Sequence, residues 1–109
     1  MILIVDDHPQ LAGFLMAVLA GEGWQAEAAA SVAEALAKLD SGTPYEVLVS
    51  DFRLPDGTGA DLARIARETR PGMPVLLMSG YDIDIPDVEF ILKPFGPDAF
   101  VARIRSLLQ

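Results

Sequence analysis

The chain is 109 residues long, 51% of its residues are apolar, and its formal net charge is −8 at pH 7. This length predicts one domain, 1–109, with enough apolar residues to form a core. The absence of cysteine excludes disulfides and thiolate metal sites. An acidic surface repels nucleic acid and anionic membranes, so we expect direct binding to neither. No apolar run approaches the roughly 20 residues of a membrane span and no signal peptide is recognisable, which predicts a cytoplasmic protein.

The first half of the chain alternates short apolar runs with amphipathic segments. Ile2–Val5 is a continuous apolar run and is predicted to be a strand buried on both faces. Pro9 opens a predicted helix whose apolar face carries Leu11, Phe14, Leu15, Val18 and Leu19. The remaining predicted elements of this half are a weak strand over 24–28, a helix over 32–40 that begins with a capping box of Ser31 and Glu34, and a buried strand over 47–49 that ends on Ser50 and Asp51.

The second half repeats this alternation. Prolines and glycines over 52–59 predict a turn. The elements predicted after it are a helix over 60–69, a strand over 75–78, a strand over 88–92 and a helix over 97–108. Such an order predicts an α/β protein with a parallel sheet covered by helices on both faces. Right-handed crossovers then give a doubly wound, five-stranded sheet of order 2-1-3-4-5.

The link between the last two strands is unusually short. From Ser79 to Asp87 it has nine residues, whereas a parallel crossover normally needs a dozen or more and contains a helix. Three aspartates, two β-branched isoleucines and Pro86 also disfavour a helix there. We therefore predict that the fourth helix of the regular pattern is missing or reduced to a single turn.

Polar side chains follow four of the predicted strands. Asp6 and Asp7 end the first strand and Asp51 the third, and Ser79 and Lys93 end the fourth and fifth. In the predicted sheet these ends meet at one crevice. Three carboxylates so close together stay ionised only beside a cation, and an all-oxygen ligand set favours Mg²⁺. One carboxylate can then act as a nucleophile toward a phosphoryl group, with Lys93 and Ser79 stabilising the transferred oxygens.

Four segments resemble the motifs of CheY-like response-regulator receivers, and the resemblance covers almost the whole chain. The segments are ILIVDDHP from residue 2, VLVSDFRLPDGTG from residue 47, VLLMSGY from residue 75, and Lys93-Pro94. The resemblance implies a flavodoxin-like fold and a phosphoacceptor switch of a two-component phosphorelay. It also implies a phosphoprotein that catalyses its own phosphorylation and dephosphorylation rather than a turnover enzyme. The partner would be a histidine kinase or a phosphotransfer protein.

The resemblance also implies roles for individual residues. Asp51 would accept the phosphoryl group from a phosphohistidine, and Ser79 and Lys93 would hold that group. Asp7, Asp51 and the backbone carbonyl of Arg53 would bind Mg²⁺ directly, and Asp6 would bind it through water. The Lys93–Pro94 peptide bond would be cis, and Phe90 would report the switch by moving inward.

The missing helix sets this chain apart from the family that it resembles. In that family the fourth helix, the fifth strand and the last helix form the face that dimerises on phosphorylation. We therefore do not expect this chain to use that dimer. Its oligomeric state is left open.

Three alternative functions are weighed against this interpretation. An aspartyl-nucleophile phosphatase would need a second aspartate where Arg53 stands, and the aspartates after the first strand would repel a flavin phosphate. A degenerate receiver acting as a phosphorylation-independent interaction module is disfavoured because all the site residues are present. His8 is interpreted as a surface residue at a helix start rather than a ligand.

Overall fold

The computed structural model describes residues 1–109. It contains seven strands: β1 (Ile2–Val5), β2 (Ala26–Ala29), β3 (Val47–Asp51), β4 (Arg53–Leu54), β5 (Gly57–Thr58), β6 (Val75–Ser79) and β7 (Glu89–Leu92). Five of them form a parallel sheet in the order β2-β1-β3-β6-β7, which confirms the predicted doubly wound topology. The segment predicted as a turn over 52–59 forms a small antiparallel hairpin of β4 and β5.

The four helices are α1 (Pro9–Gly21), α2 (Val32–Leu39), α3 (Gly59–Thr69) and α4 (Pro97–Leu107). They divide the core in two. One apolar cluster joins α2 and α3 to one face of the sheet, and the other joins α1 and α4 to the opposite face. None of the four combines the length and the apolarity that crossing a bilayer requires.

The helix starts follow from local chemistry. Pro9 and Pro97 occupy first-turn positions, where a missing N–H costs nothing. At α2 the Ser31 hydroxyl accepts the Glu34 N–H at 3.1 Å, but the Glu34 carboxylate accepts the N–H of Ala30 rather than that of Ser31. The predicted capping box is therefore half formed.

One side chain of α1 lies elsewhere than predicted. Phe14, expected on the apolar face, is half exposed (50%), while Ala12, Leu15 and Leu19 are buried. At about 100° per residue, Phe14 lies about 100° or more around the helix from each of these three. The small Ala12 therefore faces the sheet, and Phe14 lies outside the buried stripe.

Residues 80–88 contain no helix, as predicted; a turn at residues 86 and 87 is their only regular feature. Without a fourth helix, the last strand and the last helix would be expected to lose cover, but this is only partly so. Ile83, Ile85 and Val88 are partly buried and pack against the core on the α2–α3 face, and so does Phe90. An extended segment thus replaces the missing helix as cover for this part of the sheet.

Gly59, the first residue of α3, allows the backbone to pass very close to β3. A Cβ atom at this position would lie 2.5 Å from the carbonyl oxygen of Asp51, far inside van der Waals contact. The Gly59 N–H also donates to the Phe52 carbonyl at 2.7 Å. The close approach therefore fixes the backbone around Asp51.

We expect Gly59→Ala to lower the free energy of unfolding by about 1–3 kcal/mol, as overpacking of a tight site does. Gly13→Ala is the matched control, because a Cβ there would meet nothing within 4 Å. It replaces a mid-helix glycine and should stabilise the protein by up to about 1 kcal/mol. Urea unfolding of both variants measures the two effects, and equal stability of the two would contradict this account.

Candidate functional site

The carboxyl ends of β1 and β3 bring together four side chains that could bind a metal ion. The strands pair in parallel with Val5 opposite Ser50, so the residues that follow them emerge side by side. One potential ligand atom from each of Asp6, Asp7, His8 and Asp51 lies within 4.8 Å of the others. We call these four residues the acidic cluster.

Asp6 is the buried member of the acidic cluster, and its side chain has no exposed surface. Its Oδ1 atom accepts the backbone N–H of His8 at 2.8 Å and lies 3.1 Å from the His8 Nδ1 atom. Its Oδ2 atom is buried and has no hydrogen-bond partner. Because buried polar atoms are almost always paired, this oxygen indicates a site that suits a cation.

Asp51 forms an ion pair across the crevice. The Lys93 Nζ atom lies 2.9 Å from Asp51 Oδ1, and the side chains of Asp51 and Lys93 are 11% and 31% exposed. The Lys93 backbone N–H also donates to the Ser79 carbonyl at 2.7 Å, which ties the end of β7 to the end of β6. The Lys93–Pro94 peptide bond is cis, as expected.

Ser79 ends β6. Its side chain is buried and lies beside the cleft that Asp51 and Lys93 also line. Its Oγ atom accepts the backbone N–H of Tyr81 at 3.0 Å, which leaves the hydroxyl hydrogen able to donate. Arg53, on the β4–β5 hairpin, and Tyr81, whose side chain is largely exposed, line the cleft as well.

The structure thus brings together every side chain that the sequence predicted for the site. The acidic cluster contains the three predicted carboxylates, and the cleft beside it is lined by the rest. His8 does start α1 and is largely exposed, as interpreted from the sequence. Its Nδ1 atom nevertheless lies 3.1 Å from Asp6 Oδ1 and 3.3 Å from Asp7 Oδ1, contacts that the sequence analysis did not predict.

Asp56 is a residue of this region that the sequence analysis missed. It lies between β4 and β5, and its two carboxylate oxygens accept the N–H groups of Val32 and Ala33 at 2.8 and 2.9 Å. These hydrogen bonds lower the pKa of Asp56, and the one from Ala33 has the largest effect. The hairpin that follows Asp51 is therefore attached to the first turn of α2. The contact spans residues far apart in sequence, so only a motif match across the loop could have suggested it.

The donor set of the acidic cluster fits Mg²⁺. Carboxylate oxygens are the protein ligands that this ion prefers, and Asp6 supplies one buried oxygen without a partner. The side chains that could hold the ion are those of Asp6, Asp7 and Asp51.

Comparison with known proteins agrees with this geometry. Residues 2–105 match the response regulator receiver domain family. The chain is 36% identical to the transcriptional regulatory protein TrcR of Mycobacterium tuberculosis, over 99% of this chain and 45% of TrcR. It is 34% identical to the DNA-binding response regulator MtrA of Mycolicibacterium smegmatis, over 99% of this chain and 50% of MtrA. The chain spans about half the length of these curated relatives.

Solved structures give the same result. A CheY-like response regulator receiver domain protein from Methanospirillum hungatei superposes with a TM-score of 0.89 at 30% identity, over 98% of this chain and 91% of that one. The receiver domain of the hybrid histidine kinase CckA superposes with a TM-score of 0.88 at 28% identity, over 99% and 98%.

The chain belongs to the response regulator receiver domain family. Receiver domains are phosphoacceptor signalling switches of two-component systems rather than turnover enzymes. They interact with histidine kinases or phosphotransfer proteins, and they generally bind Mg²⁺ at an acidic pocket.

We expect Asp56→Asn to destabilise the protein in a pH-dependent way. The folded state lowers the pKa of Asp56, so its contribution to stability is present above the unfolded pKa of about 4 and is lost as the pH falls through the folded value. The difference in melting temperature between wild type and variant should therefore be largest near neutral pH and shrink in acid. Asp40→Asn, at the opposite end of α2, is the control and should show no such loss. A difference that stays constant from neutral to acid pH would contradict this assignment.

Proposed function

We propose that residues 1–109 form a single receiver domain that accepts a phosphoryl group on Asp51 in a Mg²⁺-dependent reaction. The donor would be a phosphohistidine of a histidine kinase or phosphotransfer protein in the cytoplasm, and the product would present a changed interaction surface. The observation that carries the proposal is the 2.9 Å ion pair of Lys93 with Asp51, beside a buried carboxylate oxygen without a partner.

The chain's own residues account for the transfer. An oxygen of Asp51 forms the new bond to phosphorus, and the bond from phosphorus to the donor imidazole nitrogen breaks. The Lys93 ammonium, already within 2.9 Å of Asp51 Oδ1, stabilises the negative charge of the transferred oxygens. Ser79, whose hydroxyl hydrogen is able to donate, contributes a hydrogen bond to one of them. Mg²⁺, when bound, would supply further positive charge at the same oxygens.

We further propose that residues 1–109 do not themselves bind nucleic acid or a membrane. TrcR and MtrA are about twice as long as this chain, so their names describe more than the part that this chain matches. The net charge of −8 opposes a direct contact with phosphate-rich surfaces. A role in transcription would therefore act through residues other than these or through a partner.

The missing helix bears on how the domain signals. We propose that phosphorylation does not lead to a dimer through the 80–88 segment, β7 and α4, because that segment is extended rather than helical. Leu92 on β7 is 47% exposed, and Glu89 and Arg103 pair across this face at 3.1 Å. The signal would pass through α1 and its neighbouring loops, through phosphoryl relay, or through another surface.

Incubation with acetyl phosphate tests the proposed reaction. We expect intact-mass spectrometry to show one added phosphoryl group in the presence of Mg²⁺, and none with a chelator or in Asp51→Asn. Asp7→Ala should lose most of the modification, because Asp7 is a proposed Mg²⁺ ligand. Asp98→Asn, at the start of α4, is the control and should be modified like wild type. If wild type is not modified, the domain is the phosphorylation-independent interaction module instead.

The proposal about signalling makes a separate prediction. We expect the phosphorylated domain to remain as monomeric as the unmodified one in sedimentation velocity, or to form a dimer that Arg103→Glu does not affect. Arg64→Glu, on the exposed side of α3, is the charge-matched control. A phosphorylation-dependent dimer that Arg103→Glu abolishes and Arg64→Glu preserves would show that the usual face is used without the helix.

A further inference from the structure

His8 places an imidazole nitrogen within a cluster that otherwise offers only oxygen. Its Nδ1 atom lies 3.1 Å from Asp6 Oδ1 and 3.3 Å from Asp7 Oδ1. The His8 side chain is 71% exposed, so its ring can be reached from solvent and can turn without disturbing the core. As the residue that precedes α1, it is held near the two aspartates by the backbone rather than by packing.

A buried oxygen without a partner favours binding of a cation at the cluster. Asp6 Oδ2 has no hydrogen bond, although its side chain is fully buried and Asp6 Oδ1 is already used by His8. One oxygen of Asp6, an oxygen of Asp7, an oxygen of Asp51 and the His8 nitrogen can therefore all contribute.

The nitrogen changes which metals this set prefers. Mg²⁺ is a hard cation that takes oxygen ligands, whereas imidazole together with carboxylates is a ligand set of Zn²⁺ and other later transition metals. A nitrogen ligand therefore raises the affinity of a site for such metals relative to its affinity for Mg²⁺.

We propose that the acidic cluster is also a Zn²⁺ site in which the His8 Nδ1 atom is a direct ligand, together with carboxylates of Asp6, Asp7 and Asp51. Because these carboxylates are the ones proposed for Mg²⁺, the two ions compete for the same site. The inference uses the residues on which the proposed function rests but does not depend on phosphorylation.

The composition of the chain makes this proposal directly observable. His8 is the only histidine, and there is no cysteine. Any imidazole signature of bound Zn²⁺ must therefore come from His8, and no thiolate signature can arise. In a ¹⁵N-labelled protein without an affinity tag, both imidazole resonances belong to His8, and their different couplings to the ring protons distinguish Nδ1 from Nε2.

The test combines calorimetry with ¹⁵N NMR on the full chain, using Zn²⁺ and Mg²⁺ as separate titrants. We expect Zn²⁺ to move the Nδ1 resonance of His8 to the position of a metal-bound imidazole nitrogen, and Mg²⁺ to cause no more than the small shift that a charge on the neighbouring carboxylates produces. The ratio of Zn²⁺ to Mg²⁺ affinity should fall in His8→Asn by about tenfold or more, the least that losing a supporting partner costs at metal sites. Asparagine is a favoured N-cap residue, so this variant should retain α1.

Asp98→Asn is the control for adventitious binding and should keep the wild-type ratio. An Nδ1 resonance that Zn²⁺ leaves unchanged, or an unchanged affinity ratio in His8→Asn, would overturn the proposal. If Zn²⁺ binds through His8 but Mg²⁺ does not bind at all, the Zn²⁺ site stands and the Mg²⁺ part of the proposed function fails. If acetyl phosphate modifies Asp51 but Zn²⁺ does not bind, the proposed function stands and this inference fails.

Discussion

Electrostatic repulsion among the carboxylates at the edge of the sheet is the constraint on which this site depends. The parallel register of β1 and β3 places Asp6, Asp7 and Asp51 together, with ligand atoms within 4.8 Å. Two like charges about 5 Å apart repel by about 3 kcal/mol at an effective dielectric constant of about 20, and exposure of Asp7 reduces this. The whole domain is expected to be stable by only about 5–15 kcal/mol. The Lys93 ammonium offsets part of the repulsion, and the rest favours binding of a cation.

At this edge of the sheet, residues that stabilise the fold also position Asp51. Gly59 is required because α3 starts against the Asp51 carbonyl, and Asp56 joins the loop after Asp51 to α2. Both residues act on the backbone around Asp51 without touching the crevice itself. The position of Asp51 is therefore determined by two helices on one face of the sheet as well as by its own strand.

The sequence predicts the sheet order, the missing helix and the site side chains, because each depends on a pattern of neighbouring residues. Apolar runs locate the strands, and the residue after each run locates the crevice. Contacts between residues far apart in the sequence follow from no such local pattern. The pairing of Asp56 with α2 spans more than 20 residues, and the contact of His8 with two aspartates depends on how the chain turns into α1. Phe14 was misplaced because five apolar residues are more than the buried stripe of α1 holds.

The extended link at 80–88 has a consequence for local stability. A helix satisfies its own amide groups, whereas between residues 82 and 87 no backbone N–H donates to another protein atom. Those amides depend on water, and what fixes the segment is the burial of Ile83 and Ile85 and the hydrogen bond from Arg67 to the Pro86 carbonyl at 2.6 Å. Local opening of this stretch therefore breaks few bonds and costs much less than global unfolding. We therefore expect the amide hydrogens of this stretch, next to the Ser79 end of the crevice, to exchange with solvent while the sheet beneath them stays closed.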